Sequence, residues 1–234
     1  MTIVITMAGL GSRFKKAGYD IPKYMIEAHG KSLFEWSMES LAGLCSEENL
    51  YIFIVRKEDE ALQFITDTCH AMGIVHIKVI EIDYLTEGQA ATAMLASSVW
   101  DKSSSLLIYN IDTYVEAGEI NENQLQGDGF IPCFRAEGTH WSFVQTDENG
   151  KALLVREKER ISDNCTLGAY YFRTCELYEQ LYLEYYSQTE TMEKGEKYVA
   201  PLYNHLISKG KDVFISIIDD KKVHVLGTPE ELKV

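Results

Sequence analysis

Near the start of the chain a β-branched run, Ile3-Val4-Ile5-Thr6, passes at once into Met7-Ala8-Gly9-Leu10-Gly11-Ser12-Arg13-Phe14. Branched side chains favour a buried strand, whereas two glycines two apart give a loop whose bare backbone a ligand can approach closely. Any fold must therefore bury the run and present the loop. Later segments say how. Ser32 reads as the cap of a helix in which Leu33, Phe34, Met38 and Leu41 share one face. Leu50 to Val55 is an apolar run of strand length, fit for a parallel strand buried on both sides. Glu58 to Met72 reads as a helix and Ile77 to Asp83 as a third strand. This alternation predicts an α/β protein, a Rossmann-like, three-layer, doubly wound mixed sheet with ligands beyond the carboxyl ends of its strands. That rule brings the loops after strands one, three and four around one cleft.

The glycine loop suits phosphate. Its N–H groups can converge as a nest of donors, Arg13 adds a forked cation, and Lys23, after Pro22, adds a point charge on a flexible stem. The intervening Lys15-Lys16-Ala17-Gly18 reads as flexible and exposed. Two other phosphate loops are disfavoured. A dinucleotide fingerprint needs a glycine where Phe14 stands, and a P-loop ending in Gly30-Lys31-Ser32 needs one where Met25 stands.

At 234 residues the chain can bury one sizeable core, and no linker divides it, so we expect one domain over 1–234. The net charge of −14 and pI of about 4.9 argue against nucleic acid or an anionic membrane as partner. An anionic substrate must then be met by a local cluster of cations. Five scattered cysteines, Cys45, Cys69, Cys133, Cys165 and Cys175, read as thiols in a reducing compartment. With no signal-peptide pattern and no membrane-length apolar run, the cytoplasm is the expected location.

Further candidates follow in order. Gly88 allows close backbone approach, and Gln89 offers a donor and an acceptor in one plane, as reading a nucleobase edge requires. The strand Ser105 to Asp112 is apolar until Asn110 and Asp112, which alternation places on one side at its carboxyl end, suited to a hard cation beside phosphates. From Gly129 short strands take over: 130–134, 141–144, a turn at Asn149-Gly150, 153–157 and 166–172. Glu157-Lys158 reads by itself as an exposed ion pair. Helices are expected at 176–186 and 198–209, strands at 213–218 and 223–226, and a capped terminal helix at 227–232.

Gly-x-Gly-x-Arg followed by Pro-Lys resembles the N-terminal signature of the nucleoside-triphosphate transferase family, the nucleotidyltransferases also called sugar-phosphate pyrophosphorylases, whose fold is GT-A-like. The resemblance spans nearly the whole chain, includes a Leu-Gly-Thr-Pro-Glu ending, and implies a nucleotide-binding half (1–128) and an acceptor-binding half (129–234). It implies transfer of a nucleoside monophosphate from an NTP to a small phosphate monoester with release of pyrophosphate. Met7, Ala8, Gly9, Gly11, Ser12, Arg13, Lys23, Gly88 and Gln89 would hold the nucleotide, and Asp112 a Mg²⁺ ion. Asn110, Glu157, Lys158, Gly168 and Tyr170 would face the acceptor, with Arg13, Lys23 and Lys158 catalytic. Many relatives carry a second metal-binding aspartate just before the Gly-Thr. Here His224, Val225 and Leu226 stand there, so a second carboxylate would have to come from Asp219 or Asp220. No hexapeptide repeat follows. Within the family the chain is most similar to small transferases of bacterial capsule pathways of the CTP:phosphoglutamine cytidylyltransferase type, which implies CTP; UTP or dTTP with a sugar 1-phosphate is the alternative. Two other classes stay open: a GT-A glycosyltransferase using Asn110-x-Asp112, and a silent nucleotide-binding regulator. A homo-oligomer is also left open.

Overall fold

The computed structural model describes residues 1–44, 46–187, 192 and 195–233. The first half contains β1 (Thr2–Thr6), α1 (Ser12–Lys16), β2 (Glu27–Ala28), β3 (Lys31–Ser32), α2 (Leu33–Glu39), β4 (Leu50–Arg56), α3 (Leu62–Ala71), β5 (Ile77–Ile82), α4 (Gln89–Met94), β6 (Leu106–Asn110) and β7 (Thr113–Val115). The second contains β8 (Gly129–Phe134), β9 (Ser142–Thr146), β10 (Ala152–Glu157), β11 (Cys165–Thr166), β12 (Ala169–Phe172), α5 (Cys175–Tyr185), α6 (Leu202–Ser208), β13 (Val213–Ile217) and β14 (Val223–Val225).

Among the described residues ten strands form one mixed sheet in the order β10-β9-β11-β8-β12-β6-β1-β4-β5, with β13 paired to β8. β5, β4, β1 and β6 are parallel, and β12 runs antiparallel between β6 and β8, so the two halves share a single sheet. Strand alternation sorts the core to the two faces. Ile3, Ile5, Tyr51, Phe53, Val55, Leu107 and Tyr109 pack on one side with Phe34, Met38 and Ile65 from α2 and α3. Val4, Ile52, Ile54, Leu106 and Ile108 pack on the other with Ala90, Tyr178 and Leu206 from α4, α5 and α6. These are the three layers that continuous apolar runs require. Removing one such ring, as in Phe53→Ala, costs about 3–5 kcal/mol.

The sheet turns in opposite directions on the two sides of β1, with β4 on one flank and β6 on the other, so a crevice opens where the loop after β1 leaves. Ser32 caps α2 through a capping box with Glu35, as its sequence predicts.

Several boundaries differ from the sequence reading, for local reasons. The glycine loop contains a helix, α1, where flexibility was expected, because Phe14 is buried and anchors it. Residues 57–59 form a 3-10 turn ended by a left-handed Glu60, so the helix expected from Glu58 starts at Leu62. The strand expected over 166–172 is broken at Leu167-Gly168. The helix expected from Tyr198 begins at Leu202 behind Pro201, and the preceding residues pair instead with the loop before α4. β14 joins β7 in a separate two-stranded sheet. The terminal helix is reduced to a turn and a 3-10 segment, Glu231–Lys233.

Cys69, Cys133, Cys165 and Cys175 are buried free thiols, and Cys45 lies outside the described residues. Among the described residues no helix is long and apolar enough to cross a membrane.

Candidate active site

A cleft of about 890 Å³ opens beyond the carboxyl ends of β1, β4 and β6. Its floor is the glycine loop from Met7 to Lys15, including Ala8, Gly9, Gly11, Ser12 and Arg13; Lys23, Gly88, Gln89, Asn110 and Asp112 line its walls. Every nucleotide-side residue expected from the sequence, and Asp112, therefore faces one hollow.

Lys23 and Asp112 meet across it. The Lys23 ammonium, on a side chain only 11% exposed, forms an ion pair with Asp112 Oδ1. Asp112 does not share a strand face with Asn110: β6 ends at Asn110 and the chain turns at Ile111-Asp112. Ser37 Oγ donates to Ile111 O at 2.9 Å, and the Leu226 N–H donates to Asp112 O at 2.7 Å. These bonds pull the turn off the sheet and aim the carboxylate at Lys23. Leu226 also packs with Phe14, and Leu232 against the same cluster, so residues late in the chain clamp both α1 and the Asp112 turn.

On the opposite wall Gln89 Nε2 donates to Asn110 Oδ1 at 2.5 Å, and the Thr6 hydroxyl donates to the same oxygen at 3.4 Å. Asn110 thus holds Gln89 in place. Its own N–H donates to Gly168 O at 3.0 Å, and a Cβ on Gly168 (φ +88°) would lie 2.6 Å from Asn110 Nδ2. Gly168 is required because the chain break between β11 and β12 must pass against Asn110. Gly88 answers the same need elsewhere. At φ +127° its Cβ would lie 2.7 Å from both N and O of Lys197.

Lys197 and Tyr198 tie the loop before α4 to Lys158, at the place where the sequence reading starts a helix with Tyr198. The Lys197 N–H donates to Glu87 O at 2.6 Å, the Ala90 N–H donates to Lys197 O at 2.9 Å, and Lys197 Nζ pairs with Glu87 Oε2 at 2.6 Å. The next residue, Tyr198, accepts a 2.5 Å hydrogen bond from Lys158 Nζ, whose charge also lies 4.4 Å from its ring centroid.

The acceptor-side residues are placed differently. Of these, Asn110 alone lines the cleft; Glu157, Lys158, Gly168 and Tyr170 are not part of its lining. Lys158 is left-handed (φ 54°), an unfavourable backbone for lysine, held by an N–H donated to Trp141 O at 2.9 Å. Burial works to lower its ammonium pKa, but the Tyr198 hydroxyl and Glu157 outweigh burial and hold it above the ordinary lysine value. Glu157 lies 3.6 Å from Lys158 and accepts from the Ser142 hydroxyl; burial, only partly opposed by that hydroxyl, raises its carboxyl above the ordinary value. Tyr170 is a packing residue here, 4% exposed, its hydroxyl 3.0 Å from that of Thr166 and its pKa pushed up to about 12 by burial.

The expected cations share the cleft with more carboxylates than Asp112. Arg13, Lys15, Lys23 and Arg56 share its lining with Asp20, Glu58, Asp59, Glu87, Asp112 and Glu196. Arg56, Glu58 and Asp59 come from the end of β4, the one strand of the parallel set omitted from the expected cleft. Asp219 and Asp220 lie outside the lining, with Asp219 spent on the Lys221 N–H. Among the described residues no group of three or more His, Cys, Asp or Glu could enclose a metal. A lone carboxylate at a phosphate cleft is nevertheless the donor set Mg²⁺ uses when substrate phosphates and water complete its octahedron, so Asp112 fits that ion.

A doubly wound sheet with a glycine-rich loop and facing cations at its switch point defines the class of α/β proteins that receive an anionic ligand beyond their strand ends. The comparisons with known proteins are more specific. The nucleoside-diphosphate-sugar pyrophosphorylase of Vibrio cholerae RC9 is 37% identical, with 98% of this chain and 97% of that one covered and a TM-score of 0.89. The UTP–glucose-1-phosphate uridylyltransferase AglF of Haloferax volcanii is 22% identical over 99% of this chain and 93% of its own length. The inositol-1-phosphate CTP transferase of T. maritima shares the fold, with a TM-score of 0.75 at 14% identity over 98% of this chain and 90% of that one. No family model matches the sequence. The chain belongs to the sugar-phosphate nucleotidyltransferases, the family of nucleoside-diphosphate-sugar pyrophosphorylases.

Proposed function

We propose that this protein transfers a nucleoside monophosphate from a nucleoside triphosphate to a small phosphate monoester, releasing pyrophosphate. The observation that carries the reading is the Lys23–Asp112 pair facing the glycine loop across one cleft: a cation for phosphate and a carboxylate for a hard metal ion, side by side. In this reading an oxygen of the acceptor phosphate attacks the α-phosphorus in line. The new P–O bond forms as the bond between the α-phosphorus and its bridging oxygen breaks, and pyrophosphate departs with the electron pair. Arg13 and the glycine-loop amides hold the β- and γ-phosphates and stabilise that leaving group. Lys23 leaves Asp112 for the α-phosphate and neutralises the charge that builds there. Asp112 is the residue that would hold Mg²⁺, which when bound screens the polyphosphate. Gln89, fixed by Asn110, reads the base, and Lys158 meets the acceptor's phosphate. No general base is required, because a phosphate monoester is already ionised near neutrality; the chemistry reduces to positioning and electrostatics.

Two substrate pairings are carried forward. A sugar 1-phosphate with UTP or dTTP is supported by the Haloferax volcanii relative, which uses UTP and glucose 1-phosphate, and by the nucleoside-diphosphate sugar of the Vibrio cholerae one. CTP with a non-sugar acceptor of the phosphoglutamine kind, for capsule or surface-glycan synthesis, is supported by the short chain and its opening motif. One assay decides: incubate the protein with each NTP, Mg²⁺ and a panel of sugar 1-phosphates and other monoesters, and follow pyrophosphate. Release that depends on both NTP and acceptor supports the reading. Hydrolysis of a nucleotide sugar without pyrophosphate would replace it with a glycosyltransferase, and nucleotide binding without either would leave a silent regulator.

A further inference from the structure

The cleft contains two cations to which the reaction above gives no work. We infer that Arg56 and Lys15, held together by Glu58, form a seat for the terminal phosphates of the nucleotide and hence for the pyrophosphate released. The inference rests on the nucleotidyltransferase reading and extends it.

Arg56 closes β4, the strand paired with β1, and the Met7 N–H donates to Ile54 O at 2.9 Å, so the glycine loop sets out alongside Arg56. Its guanidinium Nη2 lies 2.6 Å from Glu58 Oε1, and Lys15 Nζ, from α1, lies 3.8 Å from the same oxygen. All three side chains line the cleft that Arg13 lines. Asp59, which accepts from the Tyr24 hydroxyl at 2.9 Å, lines the same part of the cleft, so the two cations rest neutralised by Asp59 and Glu58. The Arg56 side chain is the fixed member at 20% exposed, and Glu58, at 56%, is the one free to move away. A terminal phosphate offers the guanidinium fork more oxygens than a single glutamate does, and would take its place.

Location gives the assignment its direction. Lys23 and Asp112 hold the β6 flank of β1, whereas Arg56 holds the β4 flank. A triphosphate laid across the glycine loop, with its α-phosphate at Lys23, runs its tail toward Arg56. Glu58 then acts as a counter-ion that keeps the seat neutralised until the tail arrives.

The test is calorimetric titration with inorganic pyrophosphate and Mg²⁺, with cytidine and uridine 5′-monophosphates as controls that lack the tail. Arg56→Ala should weaken pyrophosphate about tenfold or more, the size of effect a charge-assisted fork supports. Glu58→Gln should tighten it severalfold, and both should leave monophosphate affinity within about twofold. If Arg56→Ala does not fold, as judged by melting, Arg56→Lys serves, and should weaken pyrophosphate by a smaller factor because a point charge replaces the fork. Unchanged pyrophosphate binding in the folded Arg56 variant, or weaker binding in Glu58→Gln, would overturn the seat and leave the nucleotidyltransferase reading standing. A wild-type protein that neither binds pyrophosphate nor releases it with any NTP and acceptor would remove both.

Discussion

The cleft and the cluster around Lys158 handle charge in opposite ways. On the nucleotide side, Lys23, Lys15 and Arg56 pair with carboxylates across open space, and those carboxylates, Asp112 and Glu58, are more than half exposed. Outside the cleft lining, Lys158, the residue proposed to meet the acceptor, is wedged between Tyr198 and a nearly buried Glu157, on a backbone that lysine disfavours. The first arrangement exchanges partners at little cost, because exposed ion pairs are weak. The second is fixed in advance. The difference teaches that a molecule this acidic need not maintain a naked cationic pocket. It keeps phosphate-binding cations provisionally neutralised where a flexible polyphosphate must enter, and confines rigid placement to the neighbourhood of the group expected to meet the acceptor.

The comparison can be broken in several places. The largest effect is expected at Lys23→Ala, which should lower turnover about 10²–10³-fold with an unchanged melting temperature, since an exchangeable pair contributes little to the fold. Near-normal pyrophosphate release would refute the role of Lys23. Lys158→Gly should lower turnover by about 10²-fold with stability changed by about 1 kcal/mol or less in chemical denaturation, because relief of the left-handed strain offsets the lost contacts to Tyr198 and Glu157. A larger loss of stability in that variant would mean that Lys158 is structural. Gly88→Ala should cost about 1–3 kcal/mol and raise the apparent KM for the triphosphate, as the Cβ drives Lys197 off the loop before α4. The smallest effect concerns pH. A carboxyl raised in the folded state favours folding while protonated, so its contribution is full below the unfolded pKa and is lost as pH rises through the raised value. Glu157→Gln should therefore flatten the fall in stability across that interval relative to wild type, by about 1 kcal/mol or less, as denaturation at a series of pH values would show.

Much of this architecture is local in origin and so was legible in the residues. Ile3 to Thr6 and Leu50 to Val55 announce buried parallel strands because both faces must be apolar, and the loop between β1 and α2 announces phosphate chemistry through Gly9, Gly11, Arg13 and Lys23. What was hidden is what depends on neighbours distant in sequence. Arg56 looks like an ordinary charge ending a strand until β4 is seen to flank β1; applying the strand-end rule to all four parallel strands would have found it. Tyr198 reads as the start of a helix, yet Lys197 just before it is bonded to Glu87 and Ala90, and the helix starts only at Leu202. Asn110 and Asp112 alternate correctly on paper, but bonds from Ser37 and Leu226 end the strand between them. Tyr170 shows the converse, a polar side chain whose partner, Thr166, lies only four residues away and inside the core.

The clamp of Leu226 and Leu232 on Phe14 and on the Asp112 turn sets an order of assembly. A ribosome emits the glycine loop early and these leucines more than two hundred residues later. During synthesis the parallel strands can pair and bury their faces, but the turn bearing Asp112 is without its fastening until the last of the clamp has emerged. A nascent or truncated product that stops short of residue 226 thus has the glycine loop without a fixed carboxylate opposite it, and activity should appear abruptly once that segment is present, not grow by degrees along the translated length.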